Sequence, residues 1–430
     1  MPSFAESLPL RDRKRYICYA YISTWFGCFA DVMLDSSAIM IIYFAMLNTS
    51  NSLIMFSAAL TGIIQLLMLI PSSLLTDRFG PKKMTCVSSI MSCSGYLLVA
   101  TAPCWGTSAQ YVILTGITIF CFSRPIWTTS WYPVLGDILL PEERGGFLGK
   151  MRFSYHIITG VVFYIFGQLM GKNPPMWYLQ AATAVTGLLA LGRFVFINKI
   201  KLSDTQCGNR DLKKAFSISI HNAPLVGFST YCCFFSLAYT AVIPLALLYL
   251  KNGLDMNADT VQTLSTLGIA GSIAGYLLYG KIVKITGMRY LQILIHALWF
   301  FIPLGFIFCT ENTPYLAAVA GALLFVAYLA HAWFFCSFSQ ECLSLSRPGN
   351  AAMASALANT CNSGGTAVGR TAGSLLLGQG MLAASWNWNG FPMSDFQTVF
   401  LFCSAGVAIC AVLLLSLPSI ISNHDNYYQP

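Results

Sequence analysis

The sequence predicts an all-α membrane protein with twelve transmembrane helices in two pseudo-symmetric six-helix bundles. Three observations support this fold class. Only 9% of the 430 residues are charged and 56% are hydrophobic, whereas soluble domains carry about 25% charged residues. Apolar runs recur that are long enough to cross roughly 30 Å of hydrocarbon, for which about 20 helical residues suffice. A basic turn also recurs at a fixed separation in two apolar halves.

The apolar segments are long and continuous and lack the alternation of transmembrane strands, so each is predicted to be a helix. The first segment follows charged residues and is too long for a signal-peptide core, so we expect it to be retained. The predicted helices of the first half cover 16–47, 51–77, 83–103, 108–137, 150–171 and 177–198. Those of the second half cover 217–250, 258–283, 289–309, 313–342, 352–382 and 396–421.

A repeated turn relates the two halves. The turn after the second predicted helix contains Asp77 and Gly80, and the turn after the eighth contains Lys284 and Gly287, each 207 residues later. One substantial polar stretch separates the halves near the centre of the chain. The predicted domains are an N-terminal bundle at 1–198, a cytoplasmic linker at 199–216 and a C-terminal bundle at 217–430.

The first turn resembles the signature of the major facilitator superfamily between its second and third helices, Gly-x-x-x-Asp-Arg-x-Gly-x-Lys/Arg. Ser73 replaces the first glycine, and the matching residues are Asp77, Arg78, Gly80, Lys82 and Lys83. The turn that begins at Asp137 is similar to the inner-face pattern that follows the fourth helix in that superfamily. With two sets of six helices, the resemblance covers essentially the whole chain and implies a secondary transporter.

The resemblance also implies a cytoplasmic gate that holds the outward-facing state and breaks when the inner side opens. A carboxylate near a helix amino terminus is favoured by the helix dipole. The alternative is that these are ordinary interfacial charges, each worth little. Lys284 occupies the acidic position of the second copy, so we expect the second half to contribute less. The predicted gating residues are Asp77, Arg78, Gly80, Asp137, Glu142 and Arg144.

Basic residues are distributed asymmetrically along the chain. Of the 24 lysines and arginines, twenty fall at the amino terminus or in alternate turns on one side, Arg193 among them, and Lys172 and Lys251 fall on the other. This predicts an integral plasma (inner) membrane protein with both termini in the cytoplasm. The basic residues form no single patch for nucleic acid. Fifteen cysteines without a paired CxxC motif predict neither a metal site nor a cofactor.

Charges inside predicted helices are the main candidates for function, because each costs at least a few kcal/mol in the membrane unless it faces a cavity or a partner. Asp31 and Asp35 lie on the first helix, Arg124 on the fourth and Arg370 on the eleventh. Asp31 and Asp35 are four residues apart and therefore share a helix face. They could carry a coupling proton, bind a sodium ion, or neutralise Arg124, and these alternatives stay open.

The 207-residue offset places His331 at the position equivalent to Arg124, so we expect the two side chains at equivalent depths. In the functional interpretation, Arg124 holds an anionic or hydrogen-bonding part of the solute and His331 contacts the solute or a proton. In the structural interpretation, Arg124 pairs with Asp31 and His331 is a hydrogen-bonded core residue. Arg370 is either a second solute contact, near Asn362, or a structural contact to backbone carbonyls.

In the superfamily the first, fourth, seventh and tenth helices usually line the central cavity. The resemblance therefore makes aromatic residues on these helices candidates for stacking on a sugar or another ring, although core packing explains any one of them equally well. The aromatic solute contacts that we predict are Trp127, Trp131, Tyr239 and Trp333.

We therefore expect a secondary active transporter that moves a small polar organic solute, with anionic and sugar-like solutes both open, by alternating access and proton-coupled uptake. A proton-coupled efflux antiporter is the alternative within this class. From other classes, a membrane-embedded enzyme would need a nucleophile–base set or metal cluster that the sequence lacks, and a transporter-like receptor would bind without translocating. The expected partners are the solute, lipid, and a coupling proton or sodium ion, with the chain as a monomer.

Overall fold

The computed structural model of the protein describes residues 4–202, 212–347, 350–378, 380–388 and 390–416. For residues 4, 141–142, 144–146, 212–214, 343 and 351–352 it describes the backbone alone. Most of the described chain is helical, as expected where a membrane leaves backbone polar groups no water to bind. Part of the predicted linker, 203–211, lies outside the described residues.

The described helices of the first half follow one another with short connections. They are α1 (Phe4–Ser7), α2 (Leu10–Asp35), α3 (Ile39–Met46), α4 (Asn51–Phe79), α5 (Pro81–Thr101), α6 (Ala109–Ile138), α7 (Pro141–Met170) and α8 (Met176–Asn198). A 3-10 segment, Ala102–Ser108, joins α5 to α6. The first predicted transmembrane helix is thus interrupted at residues 36–38 and continues as α3.

The second half repeats this order with small differences. Its helices are α9 (Leu212–Ile220), α10 (Ala223–Tyr239), α11 (Val242–Leu248), α12 (Ala258–Ile307), α13 (Leu316–Ser344), α14 (Ala351–Gly378) and α15 (Asp395–Ser416). A π-helical segment, Tyr249–Gly253, extends α11. Its first transmembrane segment is also interrupted, at residues 240–241.

Nine segments of the described residues are long and apolar enough to cross a membrane. Two of them are double crossings, because Pro81–Ile138 contains both α5 and α6, and α12 is 50 residues long. At about 1.5 Å per residue, a single 50-residue helix would far exceed the bilayer thickness, and α12 is broken at Gly287. Helix α14, which is long but rich in Asn, Ser and Gly, supplies the last crossing. The prediction of twelve helices is confirmed.

The chain divides into two compact units. The first unit comprises Met1–Thr49 and Leu67–Asn209, and the second comprises Ser50–Leu66 and Arg210–Pro430. Helix α4 therefore contributes its first half to the second unit and its second half to the first. The division into two six-helix bundles at 198 and 217 stays a prediction.

The backbone repeats where the sequence predicts it to repeat. Gly80, just before α5, has φ 86° and ψ 150°, and Gly287, within α12, has φ 77° and ψ 164°. Both conformations are open to glycine and strained for other residues. The same offset relates Asn48 and Asp255, which have φ of 53° and 44° and follow the first crossing of each half. The duplication is therefore visible in the backbone conformation as well as in the amino-acid sequence.

Helices within each unit approach closely at small residues, as membrane helices do when packing replaces the hydrophobic effect. In the first unit, a Cβ at Gly95 of α5 would lie 2.6 Å from the Gly116 carbonyl oxygen of α6. In the second unit, a Cβ at Gly365 of α14 would lie 2.0 Å from the Cys233 carbonyl oxygen of α10. Neither position can accept a side chain without moving a helix.

A small β-hairpin precedes α15 in the second unit and was not predicted. Strand β1 (Ser385–Trp388) pairs antiparallel with β2 (Phe391–Ser394). Gly390 in its turn has φ 84°. Helix α15 corresponds to α8 of the first half but begins more than 207 residues after it. The inserted hairpin explains this larger separation.

Candidate functional site

Helices α2, α6 and α8 of the first unit carry ionised side chains at membrane-spanning positions. Asp31 and Asp35 occupy the last two turns of α2, and Asp35 is its final residue. Arg124 lies in the middle of α6, directly before Pro125. Arg193 lies near the end of α8. We refer to Asp31, Asp35, Arg124 and Arg193 as the ion cluster.

Three ion pairs link the four side chains of the ion cluster. Arg124 Nε lies 3.2 Å from Asp31 Oδ1, and Arg124 Nη2 lies 2.6 Å from Asp35 Oδ2. Arg193 Nη2 donates a hydrogen bond of 3.0 Å to Asp31 Oδ2. Two carboxylates and two guanidinium groups give zero net charge, which offsets much of the desolvation penalty of single charges in a bilayer.

Exposure differs sharply across the ion cluster. The side chains of Asp31 and Asp35 are 31% and 29% exposed, whereas that of Arg193 is 4% exposed. The carboxylates are therefore accessible to water or to a ligand, and Arg193 is held inside the unit.

Arg193 was not predicted as a site residue, because its position near the end of a helix placed it among the basic residues of the inner turns. That assignment is wrong: Arg193 belongs to α8 and binds Asp31, 162 positions away in the sequence. The signal was present, because the predicted helix 177–198 already contained residue 193. A long basic side chain near a helix end usually reaches water, and this rule failed here because an acid on α2 lies opposite.

The tryptophans of the first unit divide between the ion cluster and the core. The Trp127 ring lies 4.0 Å from Cζ of Arg193 and stacks on Trp131, with ring centroids 4.9 Å apart. Trp131 is 6% exposed and belongs to a hydrophobic core with Ile138 and Phe147. Of these two predicted solute contacts, Trp127 touches the ion cluster and Trp131 packs behind it.

The predicted solute residues of the second unit lie in an aromatic environment without ion pairs among the described residues. The hydroxyl of Tyr239 lies 3.4 Å from Nδ1 of His331. Tyr239 is 2% exposed and packs on Trp299, with ring centroids 4.5 Å apart. Trp333 is buried and donates to the Gly275 carbonyl. The second unit thus brings Tyr239 and His331 together and places Trp333 apart from them.

The remaining pair of predicted solute residues lies on α14. Asn362 accepts a hydrogen bond from the Ser236 hydroxyl. Arg370 donates to the carbonyl oxygens of Thr240 and Ala58 at 3.1 and 2.9 Å and to the Thr61 hydroxyl at 3.0 Å. The structural interpretation of Arg370 predicts contacts to backbone carbonyls of this kind.

The predicted gating residues lie at the ends of α4, α6 and α7. Arg78 approaches the ring of Phe79, at 5.4 Å from its centroid, and Asp137 is buried at the end of α6. The side chains of Glu142 and Arg144 lie outside the described part of the chain. Glu143, which the sequence analysis did not select, accepts a bond from the Leu140 amide and pairs with Arg13 at 3.0 Å.

A separate open cavity of about 360 Å³ lies in the second unit beside the hairpin. Glu311, Asp395 and Gln397 are among its lining residues. None of the predicted solute residues lines it, so it is distinct from the positions on which the functional interpretation depends. The described residues contain no group of His, Cys, Asp and Glu side chains suited to a metal ion.

Paired charges within membrane-spanning helices commonly mark substrate or ion paths, and a comparison with family models identifies the class of protein. A family model described as the Major Facilitator Superfamily matches residues 22–370. The chain therefore belongs to this superfamily of secondary transporters, which confirms the resemblance seen in the turns. A comparison with curated protein sequences finds no significant match.

Solved structures of transporters share the fold. A point mutant of the nucleoside transporter NupG superposes with a TM-score of 0.71 at 12% identity, covering 95% of this chain and 99% of that one. The xylose transporter XylE from E. coli gives 0.68 at 14% identity, covering 95% and 98%. A POT family transporter in complex with a thioalcohol-conjugated peptide gives 0.68 at 10% identity, covering 98% and 100%. At these identities the similarity shows the fold alone.

Proposed function

We propose that the protein is a secondary active transporter that takes up a small polar organic solute together with a proton. The observation that supports this proposal is the ion cluster, with two accessible carboxylates paired to a guanidinium inside membrane-spanning helices. Intramembrane ionisable residues that pair with one another commonly mark substrate paths and proton relays. Binding of one proton would also change the net charge of the ion cluster from zero to one positive charge, and this change could alter its affinity for a solute.

The proposed coupling uses competition for Arg124. A proton that binds one of the two carboxylates removes its charge and weakens its contact with the guanidinium. The guanidinium then has an N–H group free for an anionic or strongly hydrogen-bonding part of the solute, and charge-assisted bonds of this kind are the stronger ones. Solute and proton would therefore bind together, which is the requirement for symport.

The solute contacts that we propose are Arg124 and Trp127 in the first unit and Tyr239 and His331 in the second. Trp131, Trp333, Asn362 and Arg370 are engaged in packing or in hydrogen bonds within their units. We propose that they shape the site rather than bind the solute. The structural relatives are named for a nucleoside, for xylose and for a bound peptide, so uridine, D-xylose and a dipeptide are rational first probes.

We also propose that Asp77, Arg78, Gly80, Asp137, Glu142 and Arg144 form a gate on the cytoplasmic side. The glycine conformation at residue 80 and the Arg13–Glu143 pair, which ties α2 to the start of α7, support it. We place the protein in the plasma membrane as a monomer, with both termini in the cytoplasm. The distribution of basic residues supports the orientation.

Thermal-shift measurements on purified protein with uridine, D-xylose, a dipeptide and simple carboxylates test the proposal first. Proteoliposomes with an acidic exterior should then accumulate the probe that binds, faster than at equal pH. Arg124→Gln should lose binding of the probe. The control Lys281→Gln also removes one positive charge, but at an exposed position, and it should retain binding. Accumulation that ignores the pH gradient would refute proton coupling, and a gradient effect of opposite sign would favour the efflux antiporter.

A further inference from the structure

Arg193 is the most buried charge of the ion cluster, and its helix is fixed at that point. The Arg193 carbonyl oxygen accepts a hydrogen bond of 2.8 Å from the Ser23 hydroxyl of α2. Side chain and main chain of the same residue therefore both bind α2, two turns apart. Such an anchorage leaves the guanidinium little freedom to follow a moving partner.

The space around the guanidinium is shaped for it. A Cβ at Gly27 would lie 1.8–2.1 Å from its atoms, so only glycine leaves room on the α2 side. The Trp127 ring lies 4.0 Å from Cζ, which is a favourable geometry for a cation over an aromatic face. The buried Nε finds no hydrogen-bond partner within the described residues. The guanidinium is thus held by Gly27 and the indole with Nη2 directed to Asp31.

The two carboxylates consequently differ in what binds them. Asp31 lies between two guanidinium groups, with one oxygen at 3.2 Å from Arg124 and the other at 3.0 Å from Arg193. Asp35 has one ionic partner in the described part of the chain, Arg124. Nearby cations favour the ionised form of a carboxylate. Asp31 is therefore balanced by two cations and Asp35 by one among the described residues.

Other titratable groups do not reverse this order. Tyr96 of α5 interacts electrostatically with both carboxylates, Cys28 of α2 with Asp31, and Cys121 of α6 with Arg124. The Tyr96 hydroxyl donates to the Ala30 carbonyl. None of these neutral groups supplies a second cation to Asp35.

We propose that Arg193 is a positioning residue that keeps Asp31 ionised, so that Asp35 is the carboxylate that binds the coupling proton. This inference rests on the proposed proton-coupled transport. The proton comes from water and adds to a carboxylate oxygen of Asp35, which changes the cluster from zero to one net positive charge. Nη2 of Arg124 is released, Nε stays on Asp31, and the positive charge is available to an anionic or electron-rich group of the solute.

Infrared difference spectroscopy on purified protein tests the assignment without any solute. Acidification should produce the carbonyl band of one protonated carboxylic acid from the ion cluster, identified by its loss in Asp35→Asn. In Arg193→Gln a second carboxyl should titrate, so that the band approximately doubles, and the added part should vanish with Asp31→Asn. Arg193→Lys retains the charge and should restore the single band.

Two further variants keep the test decisive if Arg193→Gln does not fold. The charge-balanced double variant Asp31→Asn with Arg193→Gln should keep the single band of Asp35. Gly27→Ala retains Arg193 but displaces it, and should add part of the second band, whereas Gly136→Ala on α6, where a Cβ meets nothing within 4 Å, should not. Loss of the band in the double variant would overturn the proposal, because the proton would then reside on Asp31.

The result is separable from the transport proposal. An Asp35 band in a protein without pH-driven uptake would refute coupled transport while the proton assignment stands. Conversely, pH-driven uptake together with an identical band in wild type and Arg193→Gln would refute the role of Arg193 alone.

Discussion

The first unit holds four charges where the related part of the second unit holds none. The 207-residue offset places Ala238, Val242 and His331 at the positions of Asp31, Asp35 and Arg124. Helix α10 contains no charged residue and α15 contains no basic one. The glycine turns nevertheless match in φ and ψ. The repeated backbone turn is present in both units, whereas the ion pairs recorded among the described residues lie in the first unit.

The helices of the second unit that correspond to α2 and α8 are α10 and α15, and they meet through small residues without an ion pair. In the first unit, α2 and α8 are joined by Asp31 and Arg193. In the second, Ala238 of α10 packs on Gly406 of α15, where a Cβ would lie 3.1 Å from that of Ala238. Small residues give a close, uncharged contact that no proton can alter. At these equivalent positions, a response to pH should therefore arise in the first unit.

The largest effect is expected when a charge is placed at the equivalent, uncharged position of the second unit. Ala238→Asp places a carboxylate at a site that is 4% exposed and in contact with α15. Because no cation is available from α15, we expect a loss of about 3 kcal/mol or more of stability. Thermal unfolding in detergent measures it, with Ala238→Ser as the control. A melting temperature equal to that of wild type would show that the two units tolerate charge alike.

The next largest difference is expected between the stability losses caused by replacing Arg124 in the first unit and His331 at the equivalent position of the second. Arg124→Gln leaves two carboxylates with one guanidinium. A broken buried pair costs about 3–5 kcal/mol, and we expect about 2–4 here because both acids are partly exposed. His331→Gln alters a long hydrogen bond with Tyr239, at 3.4 Å, and this change should cost below about 1 kcal/mol. Equal losses of melting temperature in the two variants would contradict the asymmetry.

The sequence alone predicted the features that depend on local pattern. Apolar runs and the repeated turn were sufficient for the twelve helices, and the offset located a backbone repeat that Gly80 and Gly287 confirm. Asp31, Asp35 and Arg124 stood out because a charge in an apolar run is conspicuous without any partner. Neutralisation of Arg124 by these acids was one of the alternatives that the sequence left open, and the structure shows both carboxylates paired with it.

The features that were missed depend on contacts between distant residues or on competing signals. Arg193 looked like an interfacial cation because its partner lies on another helix. The hairpin carries the local signal Asn389-Gly390 between Trp388 and Phe391, a dipeptide that favours tight β-turns. This short segment falls in the connection between the predicted helices 352–382 and 396–421, where no strand was predicted.

The backbone repeat can be tested by equal substitutions in the two units. Gly80→Ala and Gly287→Ala add a methyl group that meets nothing within 4 Å, so the effect is backbone strain alone. Residues forced into such conformations cost about 1–3 kcal/mol, and the two losses of stability should agree. Gly227→Ala, in open space on a helix, should be neutral or stabilising by up to about 1 kcal/mol. Strain at one site only would mean that the repeat is incomplete.

The smallest expected effect concerns the ring beside Arg193. Trp127→Leu removes the aromatic face at 4.0 Å from the guanidinium but leaves its bond to Asp31, so the ion–ring part should be about 0.5–1 kcal/mol. A double-mutant cycle with Arg193→Gln isolates that part from the packing of the indole on Trp131, because the packing loss is common to both backgrounds. In the second unit, Trp333 donates to a carbonyl, and the same cycle between Trp333→Leu and His331→Gln should show no coupling. Coupling in the second cycle equal to that in the first would mean that aromatic packing, and not the cation, distinguishes these tryptophans.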